Sequence, residues 1–104
     1  MEKESEKLRV LIVDDSVLIR SQLRAVLNEV AEIEVVGVAS NGRLGLEKIS
    51  QTRADVVVLD LEMPEMGGLE TLREIRRLGL ASKVIVFSAH SYESAEATLD
   101  ALAA

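Results

Sequence analysis

Four short apolar blocks punctuate the chain, each rich in β-branched residues: RVLIV (9–13), EVVGVAS (34–40), DVVVLD (55–60) and KVIVFS (83–88). Continuous apolar runs of this length, without polar alternation, predict strands covered on both faces. The segments between them follow a different period. Over 17–30, Ile19, Leu23, Val26, Leu27 and Val30 fall on one helical face, with Arg20, Arg24 and Asn28 opposite. Ser16 or Asp15 supplies a helix N-cap there. Residues 41–51 open on the turn pair Asn41-Gly42 and continue as a short helix through Leu46 and Ile49. The stretch EMPEMGG (62–68) holds the sole proline and a glycine pair and reads as a loop. Leu69, Leu72 and Ile75 mark the inward face of a helix over 69–78, and Ala95, Leu99 and Leu102 that of a fourth helix over 91–104. The resulting order, β-α-β-α-β-α-β-α, predicts a parallel sheet with helices on both sides. Residues 1–7 form a charged, solvated lead-in to a single domain over 1–104.

Composition narrows the field of functions. At 104 residues and 48% hydrophobic, the chain suits one small globular domain rather than a disordered tail. No apolar run nears the roughly 18 residues of a membrane span, and the N-terminus lacks the apolar core of a signal peptide. There is no cysteine, so disulfide and thiolate chemistry are excluded. These features set a cytoplasmic location as the expectation, with no membrane partner. A formal charge of -6 argues against nucleic-acid binding by this segment. With Phe87 and Tyr92 as the whole aromatic complement, base-stacking platforms are lacking as well.

Candidate chemistry sits where apolar blocks end. Asp14 and Asp15 follow the first block and Asp60 closes the third. In a parallel α/β sheet, ligands bind beyond the C-terminal ends of the strands at a topological switch point. If the first and third strands are neighbours, the three carboxylates converge and repel. The hard cation Mg²⁺, which takes one or two carboxylates and keeps waters, is the natural relief. Taken singly, Asp15 reads as a helix cap and Asp60 as a loop carboxylate. Their matched placement on two strands makes that bland pair of readings a double coincidence. An aspartate held in this way can also accept a phosphoryl group. Ser88, ending the fourth block beside small Ala89, offers a hydroxyl to a phosphoryl oxygen. His90 reads as a solvated residue at the rim.

The stretches VLIVDDS (10–16), VVVLDLEMPEMGG (56–68) and VIVFSA (84–89) resemble the receiver domain of two-component response regulators. The likeness runs from about residue 8 to 104, and DDSVLIR, IEVVGVASNG and DLEMPEMGGLETL look most like the receivers of chemotaxis methylesterase (CheB-type) regulators. It implies a flavodoxin-like, doubly wound fold with strand order 2-1-3-4. Asp60 would take phosphate from a histidine kinase. Asp15 and Asp60 would bind Mg²⁺ directly, Asp14 through water, and Glu62 by its backbone carbonyl. Ser88 would be the switch hydroxyl, and Pro64 and Gly68 would shape the loop. The implied role is that of a signalling phosphoacceptor, not an enzyme.

Two departures qualify the resemblance. Gly67 stands where the family usually carries Asp. The family's fifth strand, with its lysine, and fifth helix have no counterpart in 1–104. We therefore expect a C-terminally incomplete receiver, part of a longer regulator, whose fourth strand is an exposed edge through which it self-associates. An interaction module that is not phosphorylated in this form is the alternative. Two further rivals fit less well. A flavodoxin-like cofactor binder needs a Gly- or Ser/Thr-rich phosphate loop where the chain has DDSVL. An aspartyl phosphatase commonly has a second Asp two residues after the first, where the chain has Glu62.

Overall fold

The computed structural model describes residues 7–63 and 66–87. Along the chain these form β1 (Leu8–Val13), α1 (Val17–Asn28), β2 (Ile33–Ala39), α2 (Gly42–Thr52), β3 (Val56–Asp60), α3 (Gly68–Arg77) and β4 (Lys83–Phe87). The four strands are parallel, in the order β2-β1-β3-β4. This is the flavodoxin-like, doubly wound arrangement expected from the alternation of blocks. The predicted helix over 91–104, together with Pro64, Ser88, Ala89, His90 and Tyr92, lies outside the described residues.

Side-chain parity assigns the two faces of the sheet. Leu11 and Val13 of β1, Val57 and Leu59 of β3, and Ala39 of β2 point to one side, against Ile49 of α2 and Leu72 and Ile75 of α3. Val10 and Ile12 point to the other side, where α1 packs on β1 and β2. Residues 10–13 are all buried, which is why β1 reads as an unbroken apolar run. Burying each of these side chains contributes roughly 1.5–3 kcal/mol, so this central strand anchors the sheet.

Local chemistry trims the predicted boundaries. Asp55 is not a strand residue; its carboxylate accepts the Arg9 N–H at 2.9 Å and joins the start of β3 to β1. Helix α1 stops at Asn28 because its last turn tightens, the Val30 N–H reaching the Leu27 carbonyl at 3.1 Å. Its inward face is narrower than predicted. Leu23 and Leu27 are half-buried, whereas Val26 is 61% exposed. Val26 follows Leu23 by three residues, roughly 60° short of a full turn, and so lies beside the contact stripe. Among the described residues β4 is an edge strand. Val84 and Val86 pack on the core, and Ile85 on the opposite face is exposed.

Candidate metal centre

Strand order reverses between β1 and β3: from β1 the chain winds outward to β2, then crosses back to β3. The crevice at their C-terminal ends is therefore the topological switch point. Asp14, one residue past β1, and Asp60, the last residue of β3, both reach it, and each is only 2% exposed. Asp15 is exposed at the rim. The three offer carboxylate oxygens within 4.8 Å of one another.

Both buried carboxylates are gripped by the turn that follows them. Asp14 Oδ1 accepts the Ser16 N–H at 2.7 Å, and Asp60 Oδ1 accepts the Glu62 N–H at 3.1 Å. Each is an aspartate bonding its own backbone two residues on, a geometry that aims the carboxylate along the exit of the strand. The Ser16 hydroxyl in turn accepts the Ile19 N–H at 3.2 Å and caps α1. Asp15 is thus released from the capping role that its position alone suggested.

The floor of the site depends on a missing side chain. A Cβ on Gly68 would strike the Asp60 carbonyl oxygen and lie 2.6 Å from the Leu61 Cα. Only glycine lets the start of α3 fold back over the end of β3, where the Gly68 N–H bonds the Leu61 carbonyl at 3.1 Å. The same loop is fastened to α2. The Gly42 N–H donates to the Met66 carbonyl at 3.3 Å, and a Cβ on Gly42 would meet Thr71 Oγ1 and Met66. Thr71, 1% exposed, donates its hydroxyl to the Gly67 carbonyl at 2.7 Å.

The donor set suits a hard cation. All three groups are carboxylates, matching the oxygen preference of Mg²⁺, whose bonds of about 2.0–2.1 Å place two oxygens on one ion within roughly 4.2 Å. Carboxylates gathered this closely repel one another, and a divalent ion reverses that sign. Glu62 is exposed beside the cluster and touches it through its backbone N–H. The fifth predicted contributor, Ser88, lies outside the described residues. Two residues that build the site escaped the pattern: Thr71, hidden within an ordinary helical stretch, and Arg20, placed on the solvated face of α1. Arg20 Nη1 donates to the Asp14 carbonyl at 2.7 Å. A cation in the opening turn of a helix, against the helix dipole, was the available signal. A cavity of about 560 Å³ lies at the other end of the sheet, between Leu8, Ile49, Arg53, Leu80 and Lys83, away from the carboxylates.

Comparison with known proteins agrees with this geometry. The response regulator receiver domain family matches residues 10–104. A protein-glutamate methylesterase/protein-glutamine glutaminase of Trichodesmium erythraeum is 52% identical over 96 residues, 92% of this chain and 27% of that protein. Its counterpart in a Nocardioides species is 50% identical over 97 residues, 93% of this chain and 26% of that protein. The chain thus spans about a quarter of the length of the curated relatives it matches. Among solved structures, the response regulator domain of Thermotoga maritima CheB superposes with a TM-score of 0.83 at 35% identity, covering 93% of this chain and 72% of that one.

Proposed function

The chain belongs to the response regulator receiver domain family, and from that premise we propose that it accepts a phosphoryl group on Asp60 from a histidine kinase. The observation that carries the proposal is the convergence of Asp14, Asp15 and Asp60 at the switch point between β1 and β3. An oxygen of the Asp60 carboxylate attacks the phosphorus of the donor phosphohistidine. The new P–O bond forms as the P–N bond breaks, and the departing imidazole takes a proton from water. Little covalent help is needed; position and charge neutralisation supply the catalysis. Asp15 and Asp60, with Asp14 through water and the Glu62 backbone carbonyl, would hold a Mg²⁺ ion, which when bound neutralises the incoming phosphoryl oxygens. The Glu62 N–H holds Asp60 Oδ1 and so sets the orientation of the nucleophile. Exposed Asp15 marks the side open to the donor. The Ser88 hydroxyl would donate to a phosphoryl oxygen once the group has arrived.

In this reading the chain signals rather than turns over a substrate, within a chemotaxis regulator of the CheB type. The methylesterase activity in the relatives' names would belong to a part of the regulator outside these residues, and the protein would work in the cytoplasm. Among the described residues no helix is long and apolar enough to cross a membrane. The test is transfer of labelled phosphate from an autophosphorylated chemotaxis histidine kinase in Mg²⁺. The label should move to the intact chain and stay on the kinase when Asp60→Asn is the acceptor. A kinase that keeps its label with both, while phosphorylating a known receiver in parallel, contradicts the proposed role.

A further inference from the structure

We propose that Arg20 is a positioning residue for the acidic site, acting through the peptide that joins its two adjacent aspartates. The carbonyl it binds, at 2.7 Å from Nη1, belongs to the Asp14–Asp15 peptide. That unit is planar, so fixing its oxygen fixes the rotation about ψ of Asp14 and φ of Asp15 together. The directions in which both carboxylates leave the backbone follow from those two angles. Further hydrogen bonds hold Asp14. Its N–H bonds the Ala39 carbonyl at 3.0 Å, and its Oδ1 takes the Ser16 N–H at 2.7 Å. Asp15, exposed and two residues past β1, gets its aim from the Arg20 contact.

The placement of Arg20 is costly without such a role. Its own N–H closes the first turn of α1 on the Ser16 carbonyl at 3.0 Å, which puts a cation at the positive end of the helix dipole. The side chain turns back across the N-cap rather than out to water and is half-buried. Groups that orient metal ligands in this indirect way commonly change affinity by 10–100-fold.

This inference rests on the metal reading of the site, and calorimetric titration of the folded chain with MgCl₂ separates the two. Arg20→Met keeps the aliphatic stem and removes the donors; its dissociation constant for Mg²⁺ should rise by roughly tenfold. Arg20→Lys retains a charged donor and should stay within about threefold of the original. Thermal unfolding without Mg²⁺ reports any general loss of stability, which a purely structural role would produce with the Mg²⁺ constant unchanged. A constant for Arg20→Met within twofold of the original overturns the positioning role while the metal site stands. No Mg²⁺ binding by the intact chain overturns both.

Discussion

Gly68 and Thr71 show how much of the site is made by residues that carry no charge. Gly68→Ala would push a methyl group into the Asp60 and Leu61 backbone, where no flexible side chain can yield. We expect a loss of about 1–3 kcal/mol in urea denaturation, with a wild-type m-value. Thr71→Val should cost less, about 0.5–1.5 kcal/mol, because the Gly67 carbonyl keeps a second donor in the Thr71 N–H at 2.9 Å. Asp60→Asn should do the reverse in the absence of divalent ions. It removes one of two buried like charges and keeps an acceptor for the Glu62 N–H, so the variant should be more resistant to urea in EDTA than the parent. At this scale the acidic residues were legible, because apolar strands deliver them to one edge. Thr71 was not, since its partner is a backbone carbonyl, and Arg20 showed only as a cation in the opening turn of a helix.

At the scale of elements, caps decide where the helices begin. Ser16 caps α1 through the Ile19 N–H and Asn41 caps α2 through the Leu44 N–H at 2.9 Å. Ser16→Ala should lower stability by roughly 1 kcal/mol, read from the urea midpoint. Helix α3 has a glycine cap without a side-chain bond; it carries Glu70 in its first turn and Arg76 and Arg77 in its last. There Arg77 grips Glu74 at 2.7 Å; the hydrogen bond to Arg77 holds the Glu74 carboxyl below its ordinary range. The sign of the pH effect follows. The pair's contribution is present above the ordinary carboxylate pKa and fades as pH falls through the lowered one. Glu74→Gln should therefore match the parent's acid stability at the lowest pH and fall slightly behind it near neutrality. Arg77 is exposed and Glu74 only half-buried, so solvent screens the pair and the difference stays small. Helix and strand types were legible from periodicity at every described element. The ends were less so, because Asp55 and Asn28 follow hydrogen bonds rather than hydropathy. Val26 was misplaced because helical spacing gives the centre of an apolar stripe and not its width.

For the molecule as a whole, the decisive property is winding order. Four parallel strands in the order β2-β1-β3-β4 put the ends of β1 and β3 side by side, although Asp14 and Asp60 are far apart in the chain. The sequence pattern predicts the alternation of strands and helices, but adjacency of β1 and β3 rests on the handedness and crossover rules of such sheets. The acidic centre therefore became a geometric fact only with the register of Val13 against Leu59, which brings both strand ends to the same level. Among the described residues, exposed Ile85 lies on the strand that the sequence already marks as an exposed edge, whereas the exposure of Val26 on α1 did not follow from periodicity. The most direct measurement for the account is intact-mass analysis after exposure to acetyl phosphate and MgCl₂. It should find a single added phosphoryl group, present on the intact chain and lost with Asp60→Asn or with EDTA. Equal labelling of the intact chain and Asp60→Asn would remove Asp60 as the acceptor and contradict the account.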